Sequence, residues 1–440
     1  MWISLGQGSK KDQRLNAVNM ATATITKLTV LVYTTTLLLL LLATSLGNSD
    51  SVSNTDRVAK ASNDFALHLY QTHAANSGKN NIFFSPISIS TALAMTLLGA
   101  RGNTAHQMGE VLKFDAVEMS VLHSSFAQLN TAIFGKSADK YTLNKANRIF
   151  GHKDVILTQQ FLSDANEHYG SDVSTLDFVK DVEGARRFIN AWVEKETNRK
   201  IRDLLPAGSV NPMTQLVLVN AIYFKADWAK QFDPKKTYEG EFYVSETDDV
   251  QVSMMNRKSY FFFGMDTALR CKIVELPYVG NHMNMVVILP DEIDGLGRLQ
   301  AHLTQETLRN LLSTMRNMTV SVTLPKFKLE ETIVMNDVLA DMGMRDLFHP
   351  MNADLSGITG EKGLFVSKVI HKAFLEVNEE GSEAAAATAV TMMKRSIDLT
   401  PEFRGDHPFL FFIMDAETKT IIFMGHYRKP AANNSSHVEL

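Results

Sequence analysis

The run LVLVNAIYFK at residues 216–225 is apolar at nearly every position and rich in β-branched and aromatic side chains. A strand with one wet face alternates apolar and polar residues. This run does not, so it belongs in a sheet covered on both faces. The rest of the chain has to supply both covering layers.

The neighbouring segments indicate which layers these are. In NIFFSPISISTALAMTLLGARG (81–102), Ser85 is placed to N-cap a helix with Pro86 at its first position. Ile87, Leu93, Met95, Leu97 and Leu98 make that helix apolar on most faces, which predicts a buried helix. KIVELPY (272–278) and NMVVILP (284–290) flank Val279-Gly280-Asn281-His282 and read as a hairpin. KGLFVSKVIHKAFLEV (362–377) is too β-branched and alternating for a helix. HPFLFFIMD (407–415) and TIIFMGH (420–426) read as two core strands joined by a short polar turn. Helices dominate the first half and strands the second, without regular βαβ alternation, so the fold class is α+β.

A length of 440 residues suggests two or three domains. No repeat or long linker interrupts residues 55–430, so one continuous body is expected. A 45% hydrophobic content suffices for a large core, and a formal charge of −4 without a basic stripe gives no reason to expect nucleic acid binding. Cys271 is the only cysteine, which excludes an internal disulfide, and its apolar surroundings predict a buried, inert thiol.

Both termini look like addresses. Lys27 precedes an apolar stretch, Leu28 to Leu46, centred on Leu37–Leu42, with small residues at Ala43, Ser45 and Gly47. Residues 1–47 therefore read as a cleaved signal peptide or, being long enough to span, a signal anchor, with Met20 an alternative start. Residues 48–430 form the body and 431–440 a polar tail. The tail ends in His437-Val438-Glu439-Leu440, similar to endoplasmic-reticulum retrieval tetrapeptides but with valine in place of aspartate. A retrieval receptor is the implied partner, and the expected location is the reticulum lumen, the exterior, or both. Sequons at Asn317, Asn433 and Asn434 would be open to glycosylation there.

FFSPISISTALAMTLLGARGNT (83–104), LVNAIYFKADWAKQF (218–232), LPKFKLE (324–330), VSKVIHKAFLEVNEEGSEAAAATA (366–389), DHPFLFFI (406–413) and FMGH (423–426) together resemble the serpins. Gly405 departs from the pattern, where an aliphatic or aromatic residue is usual, and is expected to cost local packing. Within the family, the dibasic pair, leader and tail resemble insect alaserpin-type, reticulum-directed members most. The resemblance implies a monomeric single domain over 48–430 with a five-stranded main sheet, two smaller sheets and eight or nine helices. A reactive loop at about 379–400 would be exposed at one pole. It implies no cofactor and no metal.

The resemblance also implies a mechanism that explains the composition of GSEAAAATAVTMMKRSI (381–397). A serine protease cuts the loop, is held as an acyl-enzyme, and the freed strand inserts into the main sheet, the family's established form of strand addition. On the family register Ser382, Ala384, Ala386 and Thr388 would face the core, and all are small and uncharged. Glu383 and Ala385, Ala387 and Ala389 would face outward. Proline, which would break a central ladder, is absent from 351 to 400. Glu379, Glu380 and Gly381 form the hinge, with Gly381 expected as a flexible pivot. An alanine run is also a good helix former, so a surface helix is the plain alternative.

Counting the hinge Glu379 as first, the scissile residue is the seventeenth, Arg395, with Ser396 after the bond; a one-residue shorter loop would give Lys394. Either suits a protease whose specificity pocket carries a carboxylate, and Arg pairs bidentately. Lys394-Arg395 also suits proteases that cut after paired basic residues, although a furin-like convertase prefers Arg where Met392 stands, next to Met393. Ser85, Ser88, Asn220 and His371 match the polar cluster beneath the strands that part (the shutter). Trp228 matches the aromatic at the top of the opening (the breach), and Lys326 with Glu379 matches an ion pair at the loop's entry.

Enzyme readings find no support. G-x-S-x-G, His-Glu-x-x-His and the P-loop pattern are absent, and Asp291–Gly295 reads as a solvated turn rather than a calcium loop. The expected function is inhibition of trypsin-like or dibasic-cleaving serine proteases, not catalysis. The rival is a non-inhibitory, reticulum-resident chaperone serpin, which has no need of the small side chains at 382–389.

Overall fold

The computed structural model describes residues 53–135, 141–381 and 400–430, together with 20–22, 26, 28 and 32–36. The chain divides into two units, Met1–Ser53 and Asn54–Leu440. The described residues of the first are exposed and, apart from Ser53, helical. Among the described residues no helix is long and apolar enough to cross a membrane.

The second unit contains two hydrogen-bonded strand systems. The strands are β1 (Ile82–Phe84), β2 (Tyr141–His152), β3 (Val173–Leu176), β4 (Leu216–Ala226), β5 (Tyr238–Ser245), β6 (Asp248–Asp266), β7 (Cys271–Pro277), β8 (Met283–Pro290), β9 (Arg316–Pro325), β10 (Phe327–Val334), β11 (Val366–Val377), β12 (Glu402–Arg404), β13 (Phe409–Asp415) and β14 (Ile421–Tyr427). One sheet has five strands in the order β10-β11-β4-β2-β3. The other runs β1-β14-β13-β8-β7-β6-β9-β12, with β5 paired to β6. The two smaller sheets expected are thus joined, because β6 is 19 residues long, more than one sheet layer usually takes. Its start pairs with β5, its middle with β9 and its end with β7. Among the described residues of this unit, eight α-helices have seven residues or more, two, Asn336–Asp341 and Ser356–Thr359, are shorter, and three single 3-10 turns complete the helical elements.

β4 is the covered strand that its composition requires. Leu216, Leu218, Ile222 and Phe224 join the main core, while Val217, Val219, Ala221 and Tyr223 face a second core. That second core contains Ala185, Ile189 and Val193 of helix Val182–Glu196. On the other face lies helix Pro86–Leu97, buried along its whole length. Stacked rings of Phe83, Phe411 and Phe423 continue the main core into the second strand system. The predicted hairpin is β7–β8, with Gly280 (φ +91°) and Asn281 (φ +56°) in its turn, where the left-handed conformation favours these residue types. The two terminal core strands are β13 and β14, paired antiparallel.

Candidate functional site

β4 and β11 lie side by side and parallel, in register from Lys368 opposite Val217 to Phe374 opposite Tyr223. Their outer neighbours are antiparallel: β10 to β11 and β2 to β4. A strand that folded back from the end of β11 into this space would be antiparallel to both neighbours, replacing a slanted parallel ladder with the slightly more stable pattern. The chain leaves β11 at Val377 and reaches Gly381 at the top of that same space.

Midway down, a buried polar cluster crosses the gap. His371 of β11 is directly opposite Asn220 of β4, and the His371 Nδ1–H donates to the Asn220 Oδ1. The Asn220 amide donates to the Ser88 carbonyl (2.9 Å), to the Ser88 Oγ (2.6 Å) and to the Asn147 Oδ1. The Ser85 backbone N–H donates to the His371 Nε2 at 3.1 Å, and the Ser85 hydroxyl donates to the Ile422 carbonyl of β14 at 2.6 Å. Both imidazole nitrogens are therefore committed, one as donor and one as acceptor, which fixes a neutral tautomer. Complete burial pushes the His371 pKa down to about 3, in agreement with that geometry.

The top of the gap is held differently. Trp228, just beyond β4, stacks on Tyr278 with centroids 4.4 Å apart and an interplanar angle of 11°. Its indole N–H donates to the Asn378 carbonyl at 2.9 Å, and its backbone N–H to the Glu380 carbonyl at 2.7 Å. Asp227 and Gly381 form an antiparallel bridge. The Glu379 carboxylate accepts from Thr237 at 2.8 Å and pairs with Lys326 at 3.0 Å. Burial opposes the Glu379 charge, but these hydrogen bonds outweigh it and hold the carboxyl below its usual range. The loop's entry is thus pinned by backbone bonds as well as by the ion pair.

Three local expectations are corrected. Ser85 occupies the N-cap position, but its hydroxyl makes no cap bond; it is committed to Ile422 instead. Gly381 is buried rather than a loose pivot: its φ is +144°, and a Cβ there would overlap the Ala226 carbonyl and the Asp227 backbone. Glycine is needed for close approach, in a region L-residues avoid. At Gly405, Leu324 already occupies the space that a side chain would need, so packing is not lost there.

The cluster also includes a residue the sequence reading missed, Asn147. β2 places it directly opposite Asn220. Its signal was an unexplained asparagine in an otherwise strand-like run; its partner could not be named without the register. Tyr278, Thr237 and Asn378 at the top were likewise unforeseen. Ser382, Ala384, Ala386, Thr388, Met392, Met393, Lys394, Arg395 and Ser396 lie outside the described residues, as do Asn433, Asn434 and the tail His437–Leu440. Asn317 is exposed at the start of β9. Cys271 is buried, and burial pushes its thiol up to about 12, far from a reactive thiolate. Glu292 in the acidic turn is held between Arg270 and Arg298. Asp164, Glu167 and His168 bring ligand-type atoms within 4.8 Å of one another on helix Gln159–Tyr169, and none of them takes part in the gap.

A five-stranded sheet with a parallel central pair, a polar cluster across it and a loop rooted at its top defines a class of protein. The family model for Serpin (serine protease inhibitor) matches residues 60–430, and the chain belongs to that family. The leukocyte elastase inhibitor of Xenopus tropicalis is 46% identical over 380 residues, covering 85% of this chain and 100% of that protein. Uncleaved ovalbumin has a TM-score of 0.77 at 34% identity, covering 85% of this chain and 100% of ovalbumin. Serpin48 of the insect Tenebrio molitor has a TM-score of 0.76 at 32% identity, with 87% and 100% covered. The matched relatives thus include vertebrate leukocyte elastase inhibitors as well as an insect member.

Proposed function

We propose that the chain is an inhibitory serpin that acts as a suicide substrate for serine proteases cutting after Arg395. The observation that carries this reading is the parallel β4–β11 pair with the root of the loop already bridged at its top. The Trp228 N–H to Glu380 carbonyl bond and the Asp227–Gly381 bridge are the first antiparallel step of an added strand. Of the residues that follow, Ser382, Ala384, Ala386 and Thr388, which would face the core, have side chains small enough to continue it.

In the proposed reaction the protease Ser hydroxyl attacks the Arg395 carbonyl. The Arg395–Ser396 bond breaks, and the Ser396 amine leaves with a proton from the protease His. An ester joins Arg395 to the protease. Insertion of 382–389 between β4 and β11 carries the protease away before water hydrolyses that ester. The protease performs the chemistry, so the chain itself is not an enzyme.

The relatives' names point to elastase. Arg395 points elsewhere, because an elastase pocket takes small apolar side chains and a carboxylate-bearing pocket takes Arg. Trypsin should give an adduct stable to SDS and a fragment beginning at Ser396, and elastase should give less. Trypsin cleavage without an adduct would favour the chaperone reading. Ala386→Arg should turn inhibitor into substrate with the cut site intact, because insertion would bury a charge. The secretory-pathway location rests on the leader at 1–47 and the tail His437–Leu440. Deleting the tail should increase secretion, and unchanged secretion would refute retrieval.

A further inference from the structure

We propose that Asn317 carries an N-linked glycan whose first sugars lie over Tyr260 and Phe262 of β6. The inference rests on the secretory-pathway reading above. Asn317-Met318-Thr319 is the start of a strand, not a loop. Alternate residues of a strand share a face, so Asn317 and Thr319 project together while Met318 points the other way, half-buried against the main core.

The register places Asn317 directly opposite Phe262 and Thr319 directly opposite Tyr260. Opposite residues share a face with Cβ atoms about 5 Å apart. On that face Tyr260 is 63% exposed and Phe262 47%, whereas Phe261 and Phe263, which point inward, are 3% and 4% exposed. Two aromatic rings at i and i+2 put adjoining apolar surface on one exposed face of the strand, where a covering group would shield both. A pyranose has a C–H face that packs on an aromatic ring while its hydroxyls stay in water. A glycan rooted at Asn317 is tethered within reach of both rings, so it has no entropy of association to overcome and is the occupant best matched to the patch.

Translation of the full chain with sealed microsomes tests this. A protease-protected chain should lose mass at Asn317 on treatment with peptide N-glycosidase. Asn317→Gln should reduce that change by one glycan, leaving only what Asn433 and Asn434 carry, and Thr319→Ser should keep it in full. A protected chain that is bare at Asn317 overturns the proposal and leaves the secretory reading standing. An unprotected chain overturns the secretory reading and this proposal with it. The covering role has its own readout: glycan removal should raise the binding of an apolar fluorescent dye, and Phe262→Ser should cancel the rise. Unchanged dye binding would overturn the placement over Phe262.

Discussion

The middle and the top of the β4–β11 gap hold the same two strands together by different means. In the middle the contacts are neutral, buried except at the half-buried Asn147, and mutually dependent: Asn220 ties Ser88 and Asn147 to His371. At the top, an ion pair with Lys326 41% exposed and Glu379 11% exposed works alongside backbone bonds and a stacked Trp228–Tyr278 pair. Water screens the ion pair of the second arrangement and does not reach Ser85, Ser88, Asn220 or His371 in the first. The proposed insertion, which would open the gap from the top only after cleavage, calls for a tight lower lock and a looser upper one.

The largest effect should come from breaking the lower lock. Asn220→Ala leaves the buried His371 Nδ1–H without its acceptor and cuts Ser88 and Asn147 back to the bonds they make to each other. At about 1–3 kcal/mol for the stranded His371 N–H, with the lost amide bonds and packing added, a loss of about 3 kcal/mol is expected, read from the urea midpoint. A loss below about 1 kcal/mol would mean that the cluster is not a coupled unit.

Gly381→Ala should cost about 2 kcal/mol, because it forces a side chain into a backbone conformation and a space that exclude one. That cost should fall on the top of the gap. Hydrogen exchange at the Trp228 amide should accelerate while the amides opposite His371 stay protected. Equal acceleration at both places would make the gap a single lock.

Acid should attack the lower lock first. The His371 pKa is about 3 in the folded protein against about 6.5 unfolded, so below pH 6.5 the unfolded state binds the extra proton. Stability contributed by the neutral ring is fully present above pH 6.5. It falls by about 1.4 kcal/mol per unit toward pH 3 and is gone below that. His123 and His426, which burial pushes down to about 4, add losses of the same sign. Between pH 6.5 and 5, before most carboxylates titrate, His371→Gln should flatten the slope of urea midpoint against pH. An unchanged slope would clear His371 of this role.

The smallest effect belongs to the upper ion pair. Lys326→Ala should cost about 1 kcal/mol or less, and added salt should shrink the difference between variant and parent. A loss as large as that of Asn220→Ala would remove the distinction between the two regions.

Much of the fold was legible in the sequence because its signals are local. The absence of alternation in 216–225 foretold a strand with two covered faces, and the apolar run after Pro86 a buried helix. The hairpin turn at Gly280-Asn281 was equally plain. At the site, Ser85, Ser88, Asn220, His371, Trp228, Lys326 and Glu379 were named from the resemblance, and the structure brings them into two clusters. What each atom does there was not legible. Ser85 reads as a helix cap and serves as a tie to β14. Gly381 reads as a pivot and is a close-approach glycine.

The sequence by itself determined the doubly covered strand, the buried helix, the hairpin turn and a set of inward-facing side chains small enough to enter a sheet. Each depends on residues within a few positions of one another. Only the tertiary structure decided that Asn147 meets Asn220, 73 residues away, that Asn220 meets His371, 151 residues away, and that one imidazole tautomer results. The physical reason is register: hydrogen bonds between distant strands choose which side chains share a face and a partner, and no local pattern encodes that choice.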